Sequence, residues 1–185
     1  MLIGLSGYAR SGKDTVADYL VKNYGFTRMA FADPMKEALY RLDPLVTFGG
    51  MPGISLKWAI DKSGWEVVKD ESPEVRGLLQ RLGTEVGRNM FGEDFWVDYA
   101  LGQSWKHENV VFSDVRFRNE ASAVQKNWGY NWRINRPGTL AANAHISETE
   151  MDGYKEFDVV LTNDSSLESL YEQIDKIMEA NKNEH

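Results

Sequence analysis

The residues best placed to do chemistry lie near the start of the chain, in the stretch GYARSGKDT from Gly7 to Thr15. Gly7 and Gly12 bracket a turn and Lys13 follows directly, the GxxxxGK[ST] spacing of a phosphate-binding turn except at its last position. Glycines let such a turn fold so that successive backbone N–H groups converge on phosphate oxygens. The helix opening behind the turn adds the partial positive charge of its N-terminus. Lys13 is long enough to reach the β- and γ-phosphates of a nucleoside triphosphate. Nucleotide-binding residues are therefore expected among Gly7, Arg10, Ser11, Gly12, Lys13, Asp14 and Thr15. A solvated lysine on an ordinary glycine-rich turn is the plain alternative, but a strand before the turn and a helix after it favour the phosphate cradle.

Asp14 stands where a hydroxyl usually binds Mg²⁺. A carboxylate there can hold the ion directly or through water. It can also merely complement the helix dipole and leave the metal to Thr15, substrate oxygens and water. The metal-linked role is the preferred expectation, with Asp114 as the second metal candidate.

Asp114 belongs to the segment VVFSDVRFRNE, at the end of a buried strand, with Arg116 and Arg118 on the loop after it. Ligands of open α/β sheets bind at the carboxyl ends of strands, and Asp33 lies at such an end too. Lys13, Asp33, Asp114 and Arg116 are thus expected to converge, with Lys13, Asp33 and Arg116 as catalytic candidates. The plain alternatives are that Asp33 caps a helix and that Arg116 pairs with Glu120. Lys36, three residues after Asp33, joins the substrate-binding candidates.

The segment RGLLQRLGTEVGR puts Arg81, Thr84, Glu85 and Arg88 on one face of a helix. An Arg81–Glu85 surface pair would account for part of this pattern. Gly83 and Gly87, however, each cost about 1 kcal/mol of helix stability relative to alanine, which predicts close approach of a backbone or a ligand. Phe91, Phe95 and Trp96 follow; any could stack on a base, with Trp96 the substrate-binding candidate, and the core is the default place for most of them.

These residues need elements to hold them. LIGLS, FTRMAFA, NVVFSDV, YNWRINRPG and DVVLTND read as strands, and helical patterns fill most of the spaces between them. Gly25 is a C-terminal helix stop, Asp33 an N-cap with Pro34 at the first helical position, and Ser165 with Glu168 a capping box. TFGGMPG reads as loop. Alternating strands and helices predict an α/β fold, an approximately five-stranded parallel sheet covered by helices on both faces. A helical block over about 33–105 interrupts the alternation as an acceptor-binding insertion within a single domain, 1–185. Residues 139–157 have no consistent period and read as a lid.

The chain has 185 residues, no cysteine and three dispersed histidines, so a disulfide framework, a thiol nucleophile and a zinc site are excluded from the expectations. A net charge of −7 argues against binding a nucleic acid polymer. It leaves room for a small anionic substrate, because a few arginines can focus a cleft, with Arg10, Arg76, Arg81, Arg88, Arg116, Arg118, Arg133 and Arg136 as candidates. No apolar run approaches the roughly 20 residues that span a bilayer, and no signal-peptide pattern opens the chain. A cytoplasmic protein without a membrane partner is expected.

Taken in order, GYARSGKDTVA, FADPMKEAL, RGLLQRLGTEVGR, FW, SDVRFRNEA, INRPG and HISE resemble the deoxynucleoside monophosphate kinases best known from bacteriophages. The resemblance runs to about Asp164. It implies a P-loop kinase three-layer fold, a host-cytoplasm location if the chain is phage-encoded, and transfer of the ATP γ-phosphate to a deoxynucleoside monophosphate with Mg²⁺. It assigns Gly12, Lys13 and their neighbours to ATP, and the Arg81–Arg88 segment and Arg116 to the acceptor. GKDT is usual in that family. Arg118 stands where its DVRFPNE pattern has proline, which leaves open whether Arg116 or Arg118 faces the acceptor phosphate. The lid lacks arginine and offers His145, Ser147 and Glu148, so transition-state charge falls to Lys13, Mg²⁺ and arginines at the sheet edge, Arg10 or Arg136 among them. A homodimer is admitted as an assembly. Other readings are a different small-molecule P-loop kinase, such as dephospho-coenzyme A kinase, and a nucleotide-dependent switch ATPase.

Overall fold

A computed structural model describes residues 1–139 and 149–182. In chain order its elements are β1 (Leu2–Ser6), α1 (Lys13–Tyr24), β2 (Thr27–Met29), α2 (Asp33–Leu42), β3 (Leu45–Phe48), β4 (Met51–Ser55), α3 (Leu56–Glu71) and α4 (Pro73–Arg81). A π-helical stretch, Leu82–Phe91, continues α4. Then come α5 (Phe95–Ser104), β5 (Val110–Phe112), α6 (Arg118–Lys126), β6 (Tyr130–Asn135), β7 (Val159–Thr162) and α7 (Leu167–Lys182). The chain divides into two compact units, one of Met1–Phe31 with Leu101–His185 and one of Ala32–Ala100.

The first unit is built on a five-stranded sheet in the order β2-β5-β1-β6-β7, every pairing parallel. Side chains alternate across the central strand. Ile3 and Leu5 are fully buried against Val16 and Leu20 of α1 and Leu170 and Ile174 of α7, in a core shared with Trp132 and Ile134. Gly4 points the other way, where a Cβ would meet Val124 of α6 at 3.1 Å. Helices therefore cover both faces, and the β1 backbone leads straight into the glycine-rich turn. Tyr19 and Tyr24 both donate to Asp175, at 2.9 Å and 2.6 Å, joining α1 to α7. Among the described residues no helix is long and apolar enough to cross a membrane.

Several element ends differ from the sequence reading. Ala32, already helical at φ −78 and ψ −13, precedes α2, so Asp33 is its first residue and not its cap. At α7 the cap is Ser166, not Ser165. Its carbonyl accepts the first helical bond from Leu170 N–H and its hydroxyl accepts from Ser169 N–H. After α6 the left-handed position falls on Trp128, φ 59. Gly129 serves close packing, since a Cβ there would lie 2.7 Å from Val124 and 2.9 Å from Leu2.

The second unit has its own core around Leu39, Val46, Leu56, Ala59, Val68 and Val75. The stretch expected as loop is the antiparallel hairpin β3–β4. Its two-residue turn, Gly49-Gly50, has positive φ at both positions, 58 and 75, as a type I′ turn requires. Gly64, at φ 78 and ψ 161, breaks α3.

Candidate active site

Gly7–Thr15 closes over itself at the carboxyl end of β1. Ser11 N–H donates to Tyr8 O at 3.1 Å, and Lys13 Nζ donates to Gly7 O at 2.8 Å and Tyr8 O at 2.9 Å. Gly12 takes φ +110, where a side chain is strained, and a Cβ there would lie 2.6 Å from Asn163 Nδ2. Arg10 is itself left-handed, at φ 63. Two residues from the far side of the sheet brace the turn. Asn163, just past β7, donates to Ser11 O at 2.9 Å, and Arg136 Nη1 donates to Arg10 O at 3.3 Å.

Lys13 and Arg116 line one pocket at the mouth of the turn, with Ser6, Gly7, Ala9, Val115, Arg133 and Met151. Arg116 owes its place to Glu120. That carboxylate, 5% exposed, accepts Arg116 N–H at 2.7 Å and Phe117 N–H at 3.1 Å. It is the N3 acidic residue of α6 reaching back over the helix start. Asp114 accepts Phe31 N–H at 2.7 Å, which fixes its carboxylate at the end of β5. Asp14 lies in the exposed first turn of α1 and pairs with Arg28.

Arg118 opens α6, the N1 position at which proline is favoured. Its N–H donates to Glu150 Oε1 at 3.0 Å, a bond that proline could not make. Asp33, Lys36, Arg81, Arg88 and Trp96 belong to the Ala32–Ala100 unit. There Lys36 lies 3.7 Å from Asp33. Trp96 Nε1 donates to Gly83 O at 3.1 Å. Met35 and Trp96 are what approach Gly83 and Gly87, so packing accounts for both glycines. Beyond Leu82 the i→i+5 winding carries Arg88 away from the α-helical face it was expected to share with Arg81. Glu148, with His145 and Ser147, lies outside the described residues.

The residues that sequence reasoning missed are Arg28, Asn163 and Tyr8. Asn163 was findable, because it stands at the carboxyl end of a parallel strand, where such sheets bind ligands. Arg28 and Tyr8 carry no spacing signal, and only the fold brings their partners near.

The turn's geometry suits a nucleotide's phosphates. Gly7 and Gly12 take positive φ, 150 and 110, that side chains disfavour, and cations line the pocket beside the N-terminus of α1. The carboxylates of Asp14 and Asp114 and the hydroxyl of Thr15 are hard oxygen donors of the kind Mg²⁺ takes.

A phosphate-binding turn leaving the central strand of a parallel sheet ordered β2-β5-β1-β6-β7 defines a P-loop kinase. The profile of the deoxynucleotide monophosphate kinase family matches residues 1–43 and 57–174. The chain belongs to that family, and so is a nucleotide-using phosphotransferase. The residues between the two matched stretches, 44–56, span the β3–β4 hairpin. The deoxynucleotide monophosphate kinase of Enterobacteria phage T4 is 26% identical over 233 residues, covering 94% of this chain and 96% of the relative. A protein of Acanthamoeba polyphaga mimivirus, provisionally assigned the same activity, is 33% identical over 188 residues, 94% of each chain. Among solved structures, shikimate kinase from Aquifex aeolicus covers 98% of each chain at 18% identity, with a TM-score of 0.48.

Proposed function

We propose that the enzyme transfers the γ-phosphoryl group of ATP to a deoxynucleoside monophosphate, giving the diphosphate and ADP, with Mg²⁺ required. The observation that carries this is the pocket that Lys13 and Arg116 share at the mouth of the glycine-rich turn. It lies where a donor phosphate on the turn would face an acceptor phosphate on the loop after β5. Phosphoryl transfer asks a protein mainly for positioning and charge neutralisation. Backbone N–H groups of Gly7–Thr15 hold the donor phosphates, and Lys13 spans the β- and γ-oxygens. Arg116 holds the acceptor phosphate through a guanidinium fork, with Arg118 the alternative. Asp33, Lys36, Arg81, Arg88, Trp96 and Glu148 serve acceptor binding, and Asp33 orients the acceptor phosphate.

Asp14 and Asp114, the latter through water, would hold Mg²⁺ with Thr15. An ion held there would supply positive charge to neutralise the transferring phosphoryl group. This reading puts the reaction in the compartment that holds its nucleotides, the cytoplasm. The test is a coupled assay of ADP release over the deoxynucleoside and ribonucleoside monophosphates, with and without Mg²⁺. ADP release stimulated by at least one deoxynucleoside monophosphate is expected. Stimulation by dephospho-coenzyme A alone, or slow hydrolysis indifferent to every acceptor, would overturn the proposal.

A further inference from the structure

Arg133, on β6, is a third cation at the same pocket. Its side chain is only 12% exposed, and the carboxylate it faces, Asp152, lies 3.8 Å away and is 41% exposed. That carboxylate already accepts the Tyr8 hydroxyl at 2.6 Å. Arg133 otherwise donates to neutral oxygens, Ser6 Oγ at 3.4 Å and Asn135 Oδ1 at 3.3 Å. No acidic residue is among the described residues lining the pocket. A guanidinium largely withdrawn from water is costly unless an anion meets it closely. Lys13 and Arg116 line the same pocket, so Arg133 adds a third cation to it.

The guanidinium is also held in place. It lies 5.0 Å from the Tyr8 ring centroid and 5.7 Å from that of Phe157. Contact with two aromatic rings restricts a side chain that otherwise samples many rotamers, and leaves its planar fork oriented. Tyr8 is part of the phosphate-binding turn, so the same residue that shapes the cradle orients the cation.

We infer that Arg133 binds the phosphoryl group in transit between ATP and the acceptor, with Tyr8 and Phe157 as positioning residues. It supplies from the sheet edge the cation that the arginine-free stretch 139–157 does not. The inference rests on the kinase reaction proposed above. No bond is made to Arg133. Its N–H groups donate to equatorial phosphoryl oxygens, whose charge is the quantity to be stabilised.

Arg133→Gln is expected to lower kcat by about 100-fold, the scale of losing one preorganised donor, with the acceptor KM within about threefold and the ATP KM raised by up to about tenfold. Arg133→Lys keeps the charge without the fork and is expected to recover about a tenth of wild-type kcat. Guanidinium chloride is expected to restore part of the kcat of Arg133→Ala, which a purely structural role would not allow. Calorimetric titration with tripolyphosphate provides a readout apart from turnover. Arg133→Gln is expected to weaken tripolyphosphate about tenfold and ADP by less than twofold. Unchanged kcat and unchanged tripolyphosphate affinity in a folded Arg133→Gln enzyme would overturn the inference. If wild-type enzyme phosphorylates no monophosphate, it is the reaction that fails, while the tripolyphosphate titration still decides Arg133.

Discussion

Arg28 on β2 forms an ion pair with Asp14 in the first turn of α1, and its second nitrogen reaches Asp18 at 2.9 Å. Its Nε donates to Ser113 Oγ at 3.2 Å. The Arg28 and Asp14 side chains are 35% and 79% exposed, so this pair contributes at most about 1 kcal/mol. Its interest is competitive, because a metal ion bound at Asp14 would have to share that carboxylate with Arg28 or displace it. Asp14→Asn is expected to raise the magnesium concentration at half-maximal kcat and to tighten metal-free ATP slightly. Arg28→Gln is expected to lower that concentration. Both should keep Tm within about 4 °C of wild type. A magnesium titration at fixed ATP checks this. An unchanged midpoint in Asp14→Asn would make Asp14 a helix-dipole residue.

Lys13 lies inside the turn against two of its carbonyls. Lys13→Ala is expected to reduce kcat by at least about 100-fold, with circular dichroism unchanged. Wild-type turnover in a folded variant would remove the phosphate-binding assignment.

Asn163 holds Ser11 O from beyond β7. Asn163→Ala removes this brace and is expected to cost about 1 kcal/mol of stability. It should raise the KM for ATP more than that for the acceptor. Equal KM changes for both substrates would count against a role confined to the cradle.

Glu120 is buried and takes the backbone N–H groups of Arg116 and Phe117. Glu120→Ala removes both of these bonds, at a cost of about 1–3 kcal/mol. If Arg116 holds the acceptor phosphate, Glu120→Ala and Arg116→Ala should both raise the acceptor KM with little change for ATP. A steady-state comparison that shifts only the ATP KM would contradict this. If Arg116→Ala changes neither KM, Arg118 becomes the acceptor-phosphate residue.

Gly87 faces the Trp96 indole, and a Cβ there would run into its nitrogen. Gly87→Ala adds intrinsic helix propensity of up to about 1 kcal/mol. Overpacking at a crowded contact costs about 1–3 kcal/mol, so net destabilisation is expected in urea unfolding. A more stable Gly87→Ala protein would show that Trp96 has room to move.

The parts of this protein legible in its sequence are those encoded by neighbours along the chain. The glycine spacing of Gly7–Thr15, the apolar strand before it and the helical period after it made the phosphate cradle and the parallel sheet readable, because hydrogen bonding and side-chain alternation act over a few residues. The hairpin at Leu45–Ser55 was missed. Gly49 and Gly50 form its turn, but its strands are too short and too exposed at Leu45 and Met51 to show a clear alternation. The π-helical winding after Leu82 was missed as well. It accompanies the close approach of Met35 and Trp96 to Gly83 and Gly87, contacts made between separate helices. The same holds within the site. Lys13 was readable from its motif, but its pocket partners Arg116 and Arg133 come from different strand ends, and the pairing of Arg28 with Asp14 crosses from one element to another. Such contacts depend on which strands lie side by side. Strand order is set by packing the whole sheet between its helices, and short stretches of sequence do not carry it.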